Sequence, residues 1–319
     1  MRARCPEDLL AMAPVLLGYW PHEAVVMLTF GGDRPFHAGM PLPPRAAQTA
    51  DVRAAAVEML MEPVRQQRVC QVALLYHSAD EATVTPIHRD LLCALRRHSV
   101  GVVEAIHADG SCWTDLRRPE SAPEPYDIAA HPFVVEAIVS GRLTHGSREE
   151  LVRSFDGDEI EVARTAAALD AADLLDRRPP TTAAAIRREG EWVHELVAST
   201  VVAGTLFSND LARLVWAMRA VRVRDAAWSL IDRATATGHV RLWADVVRRT
   251  PGELVAAPAI LLGWSAWQAG DGATARIAVD RCFDAAPDYR LAAHLGSILD
   301  HAVPPDAWRG GFDWTEGLP

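Results

Sequence analysis

Lysine is absent from the 319 residues, so all 32 basic side chains are arginine. That omission excludes a Walker A phosphate loop, a lysine Schiff base to pyridoxal phosphate, the strand lysine of protein kinases and a Ser-x-x-Lys acylation pair. The lack of lysine, with the abundance of Ala, Arg, Val and Asp, is what a GC-rich gene encodes. Cysteine is scarce. Cys5, Cys70, Cys93, Cys112 and Cys282 are odd in number and irregular in spacing, with no C-x-x-C, so neither a zinc site nor a disulfide framework is signalled. Reduced thiols are expected. Positive charge is in deficit too: 42 acidic against 32 basic side chains give a net charge of -10. A broad cationic surface for nucleic acid or anionic lipid is therefore not expected.

Long apolar runs are also missing. Near the start, Glu7, Asp8, Pro14 and Pro21 interrupt any signal-peptide core. Residues 254–270 carry no charge, but the stretch is short for a membrane span and holds Pro258 and Gly263, so a buried helix is expected there. The resulting expectation is a cytoplasmic protein that does not enter a membrane, with no cofactor and no resident metal. Half of the residues are apolar, ample for cores in two domains.

The first third alternates strand and helix signals. A helix over "PEDLLAMAPVLLG" precedes the β-branched run "EAVVMLTF", and "GGDRP" turns the chain into "FHAGMPLPP", which predicts a hairpin. A second helix is expected over 45–68, and "VCQVALLYHS" follows as an apolar run suited to a strand buried on both faces. "TPIHRDLLCALRRHS" predicts a helix capped by Thr85 with Pro86 in its first turn, and "VGVVEAIH" is the next strand. Strand, helix, strand implies a right-handed parallel crossover, hence a mixed sheet flanked by helices.

The Pro- and charge-rich stretch "RRPESAPEPYD" marks a boundary. The expected organisation is an α/β domain over 1–118, a Pro-rich linker over 119–127, an all-α domain over 128–303 and a Gly-, Pro- and Trp-bearing tail over 304–319. "HGSREELVRSF" contains a capping box, with Ser147 accepting from the Glu150 amide while the Glu150 carboxylate reaches back. Helices are then expected over 158–176, 181–202, 208–219, 222–236 and 239–249, with a pair over about 256–284.

Gly270-Asp271-Gly272-Ala273-Thr274-Ala275 fits the G-x-G-x-x-G/A pattern of a dinucleotide loop. Such a loop needs a buried strand before it, and "LLGWSAWQA" has helical spacing instead. A tetratricopeptide-like helical hairpin fits better: Gly263 and Ala275 allow close approach, Gly270 makes the turn and Pro287 ends the second helix.

"LLGYWPHEAVVML", "AHPFVVEAIVSGRLTHGSREEL" and the stretch from "WSAWQAGDG" to "PPDAW" together resemble, in order, landmarks of an actinobacterial family known as domain of unknown function 4192. The resemblance covers nearly the whole chain and implies no activity, cofactor or catalytic residue. It also implies a serine where Ala24 stands, an Arg and an Asp near Gly39 and Pro41, and a cysteine cluster in place of "RRPESAPEPYD".

Candidate sites are few. "DGDEIE" clusters carboxylates, but a calcium loop starting there would have Glu161 at its glycine position and Ala167 at its bidentate position. Glu191, His194 and Glu195 lack the second histidine of a zincin helix. Two strands end alike, "ALLYHSAD" with His77, Ser78 and Asp80, and "VVEAIHAD" with His107 and Asp109. If parallel, they deliver both histidines to one edge, where α/β sheets bind ligands, and "FGGD" would add Gly31, Gly32 and Asp33. Imidazole and carboxylate together could hold a metal or pass a proton. In the tail, Trp308, Phe312 and Trp314 are either docked on the helical domain or anchors for a protein partner. The expected function is a protein-interaction or regulatory role for the helical domain, with a small-molecule or metal-binding enzyme at the strand ends as the alternative.

Overall fold

The structure is a computed structural model and describes residues 2–32, 36–118, 120–142, 145–204, 206–308 and 311–318. The chain forms two compact units, residues 1–151 with 300–304, and residues 152–299 with 305–319.

The first unit contains α1 (Pro6–Leu17), β1 (Ala24–Phe30), β2 (His37–Pro41), α2 (Ala50–Gln66), β3 (Gln71–His77), α3 (Glu81–Arg97), β4 (Gly101–Ala108), β5 (Cys112–Asp115), β6 (Glu124–Pro125) and α4 (Pro132–Val139). A further helix, α5 (Arg148–Arg153), runs through the sequence boundary between the units. The six strands form one sheet in the order β2-β1-β3-β4-β5-β6. Only the β3/β4 pair is parallel, joined through α3, and the other pairs are antiparallel. The predicted mixed sheet flanked by helices is therefore present.

Strand alternation divides the core. Val26 and Leu28 of β1, Ala73 and Leu75 of β3, and Ile106 and Ala108 of β4 join Leu10 of α1 and Val134 and Ala137 of α4. On the opposite face, Val25, Met27, Val72, Leu74, Tyr76 and Ala105 join Leu60 and Met61 of α2 and Ile87 and Leu91 of α3. Burial on both faces is why β1 and β3 read as unbroken apolar runs.

Several boundaries differ from the expected ones. Residues 119–127 are not a linker among the described residues: Glu124–Pro125 extends the sheet as β6, and Ile128, Val134 and Ala137 lie in the first unit's core. Proline-rich composition marks irregular backbone, which here covers a sheet edge instead of separating domains. Helix α3 begins at Glu81, because the Asp80 carboxylate captures the Ala82 amide at 2.9 Å, one turn before Thr85. The capping box forms with a shift: Ser147 Oγ accepts from the Glu150 amide at 3.1 Å, but the Glu150 carboxylate accepts from Gly146 at 2.6 Å.

The second unit is all helical among the described residues, with α6 (Glu159–Ala171), α7 (Ala183–Ala203), α8 (Ser208–Ala217), α9 (Val221–Trp228), α10 (Ala236–Arg249), α11 (Ala256–Ala269), α12 (Gly272–Ala285) and α13 (Arg290–Asp300). Every residue from Ala256 to Gln268 is buried, so α11 is the central helix of the unit. It forms a hairpin with α12. Gly270 adopts φ +83° at the end of α11, and Asp271 caps α12 by accepting from the Thr274 amide at 2.9 Å. The G-x-G-x-x-A stretch is thus an inter-helix turn. A Cβ on Gly263 would lie 3.3 Å from both the Ala275 carbonyl and the Ala278 methyl, and 3.0 Å from Leu295 of α13. The hairpin does not end the unit, since α13 follows it and buries Leu291, Ala292 and Leu295.

The tail packs onto this unit. Trp308 stacks on Trp228 with ring centroids 5.4 Å apart, and Phe312 meets the same indole at 4.8 Å. Trp314 is buried, and its ring occupies the space where a Gly190 side chain would be: a Cβ there would come within 2.3 Å of it.

Two substitutions test this packing. Ala275→Trp, at a wholly buried position facing α11, is expected to cost roughly 1–3 kcal/mol or more in chemical denaturation. Gly190→Ala gains roughly 0.5–1 kcal/mol from helix propensity alone, but expulsion of Trp314 should reverse the sign to a loss of roughly 1–3 kcal/mol. A raised melting temperature for Gly190→Ala would mean that the tail is not docked.

Candidate functional site

Register brings three strand ends together. Ala24 pairs with His77 and His77 pairs with Ala108, so β1 begins where β3 and β4 end. A cavity of about 290 Å³ opens at this edge, on the side covered by α1 and α4. Buried His77 and Ala108 form its floor, and Pro14, Trp20, Tyr126 and Ile128 line its walls. The exposed residues Glu23, Asp109 and Asp127 stand at its rim.

His77 is the unusual group. Only 8 % of it is exposed, and its Nε2 has no hydrogen-bond partner among the described residues. Ala24, directly across in the register and on the same face, offers only a methyl group. Burial, reinforced by the nearby His22 and His107, lowers the His77 pKa to about 4, so the ring is neutral at physiological pH.

Glu23 fastens the corner. Its carboxylate accepts from the Ser78 hydroxyl at 2.8 Å and from the Ala79 amide at 3.1 Å, while its own carbonyl accepts from the Leu42 amide at 2.7 Å. It does so with φ at +42°, a left-handed conformation that is uncommon for a residue with a side chain. Asp109 shapes the β4–β5 turn, its Oδ1 accepting from the amides of Cys112 at 2.7 Å and Ser111 at 2.8 Å, which hold its carboxyl below the usual range.

The residues singled out from sequence separate into groups. His77, Ser78 and Asp109 line the cavity. His107 reaches the same edge but the opposite face, because it pairs with Tyr76, whose ring packs against α3. Its Nε2 lies 2.8 Å from the Ser78 carbonyl. Asp80 is a helix cap, held below the usual carboxylate range by the Ala82 amide and the Thr83 hydroxyl. Gly31 and Gly32 are at the wrong end: β1 runs antiparallel to β3, so Phe30 pairs with Gln71, the first residue of β3. Asp33 lies outside the described residues. Trp308, Phe312 and Trp314 are packed within the helical unit as described above.

Trp20, His22, Glu23, Tyr126 and Asp127 were not anticipated. The signal for the first three was the antiparallel β1/β3 pairing, which places residues preceding β1 beside the end of β3. Tyr126 arrives because its amide donates to the Ser111 carbonyl at 3.1 Å, beside the β6 edge.

The arrangement defines a ligand-sized cavity at the carboxyl edge of an α/β unit, followed in sequence by a helical unit. The family described as domain of unknown function (DUF4192) matches residues 6–306 of the 319, so the chain belongs to that family. No curated protein and no solved structure matches it. Among the described residues no three His, Cys, Asp or Glu side chains form a group able to hold a metal, and no helix is long and apolar enough to cross a membrane.

The buried imidazole has a measurable consequence. The unfolded chain takes up a proton near pH 6.5 that native His77 refuses until about pH 4, so stability is lost as pH falls through that window. Between pH 6.5 and about 5 the loss attributable to His77 should be roughly 2 kcal/mol. His239, lowered to about 4 by its own burial, adds a similar loss. Urea denaturation of a His77→Gln variant should show a correspondingly shallower pH dependence.

Proposed function

We propose that the α/β unit binds a small polar organic molecule in the cavity at the ends of β3 and β4, with His77 as its central hydrogen-bonding group. The observation that carries this reading is the buried, neutral His77 ring lining an open cavity at the strand ends, in company with Trp20, Tyr126 and three carboxylates. The location adds support, because open α/β sheets bind ligands outside the carboxyl ends of their parallel strands. The size is in keeping with a small metabolite.

Serine chemistry is not favoured. Ser78 follows the last residue of β3, and its hydroxyl is engaged elsewhere, donating to Glu23 while accepting from the Asp80 amide at 3.1 Å. His77 therefore acts as a binding group or a proton acceptor toward a ligand, not as the base of a nucleophilic pair.

A second reading gives the helical unit a protein partner. It is supported by Val202 and Phe207, which are 88 % and 71 % exposed near the α7–α8 connection. The tail aromatics lend it no support, being packed inward.

Extracting metabolites from the protein as purified, and comparing wild type with Ala129→Trp, tests the first reading. Ala129 is exposed and lines the cavity, so tryptophan there blocks the site without disturbing the core. A molecule retained by wild type and absent from the variant is the expected result. Equal profiles, together with no thermal stabilisation by any member of a metabolite library, would remove the proposal.

A further inference from the structure

We infer that the ligand of this cavity is a compact organic cation, an amine or guanidinium joined to a small apolar body, its nitrogen held by the rim carboxylates above the His77 ring. The inference rests on the reading of the cavity as a binding site and adds the sign and class of what enters it.

The permanent charge on the lining is one-sided. Among the described residues Glu23, Asp109 and Asp127 line the cavity beside His22 and His77, and no arginine does, in a chain where arginine supplies every permanent positive side chain. An anionic ligand would face three carboxylates with no guanidinium to offset them, which costs binding energy at any effective dielectric. A cation finds acceptors ready. Asp109 uses Oδ1 for the amides of Ser111 and Cys112, and Asp127 uses Oδ1 for the Ala129 amide at 2.8 Å, leaving Oδ2 of each for a ligand.

The floor agrees with the rim. Burial keeps His77 neutral, so the floor adds no positive charge to oppose a cation. An inorganic cation is not favoured, since no three metal-ligating side chains among the described residues form a suitable group. The half-buried Trp20 and Tyr126 supply apolar surface, so the nitrogen should be attached to a hydrocarbon or aromatic body.

Calorimetric titration with three probes sharing one skeleton, phenethylamine, phenethyl alcohol and 3-phenylpropionate, at pH 7.5 and low salt, tests the inference. The amine should bind about tenfold tighter than the alcohol, and 3-phenylpropionate should bind weakest. The preference should shrink as salt is raised, and in an Asp109→Asn, Asp127→Asn double variant, whose amide oxygens still accept the turn amides. Ala129→Trp should abolish binding of the amine. Alcohol or 3-phenylpropionate binding as well as the amine, and blocked by Ala129→Trp, would overturn the cationic assignment while leaving the cavity a binding site. An amine preference untouched by the double variant would overturn the role of the rim. Binding of none of the three would overturn both the inference and the reading beneath it.

Discussion

The register in which β3 pairs with its two neighbours is the constraint on which the rest of the first unit depends. Ala24, His77 and Ala108 lie side by side across three strands. Because β1 is antiparallel to β3 and β4 is parallel to it, the start of one strand and the ends of two others share one edge. A slip of one residue would turn His77 to the α2/α3 face and drive Leu74 and Tyr76 out of the cluster they fill. The Glu23 bonds to Ser78 and Ala79 hold the same register at its open end, and this tie accompanies the left-handed backbone at Glu23. Strain of that kind costs of order 1–3 kcal/mol and persists only where surrounding contacts over-determine it.

Much of this architecture was legible from local pattern. The strand at "EAVVMLTF", both-face burial of "VCQVALLYHS", the parallel β3–α3–β4 crossover and the hairpin turn at Gly270-Asp271 follow from short-range chemistry that tertiary packing did not override. The site was half legible. His77, Ser78 and Asp109 were recognised by their place at strand ends, but a strand end shows neither its face nor its neighbours. His107 was grouped with His77 because both end strands, and only the pairing of His107 with Tyr76 shows that they face apart. Gly31 and Gly32 were placed at the wrong edge for a related reason: strand direction within a sheet is a long-range property that glycine-rich turns do not encode. Residues 119–127 failed differently, since proline content describes backbone irregularity and is silent about whether the segment is covered by a core.

A lone buried histidine is usually structural, and the molecule supplies its own controls. His107 lies within 2.8 Å of the Ser78 carbonyl. His131 caps α4, its Nδ1 accepting from the Phe133 amide at 3.2 Å while its Nε2 meets Asp8 at 3.0 Å. His239 resembles His77 more closely, with Nδ1 unpartnered and a pKa lowered to about 4, yet it is only 2 % exposed inside a helical core. An orphaned nitrogen alone therefore does not mark a site. What separates His77 is that its ring lines an open cavity rimmed by carboxylates. The means of satisfying it were close at hand, since a hydroxyl-bearing residue in place of Ala24 would stand on the same face and opposite it in register. Local rules broken where a simple remedy was within reach are often broken at functional positions, which is the ground for placing the proposed binding site at His77 rather than at His239.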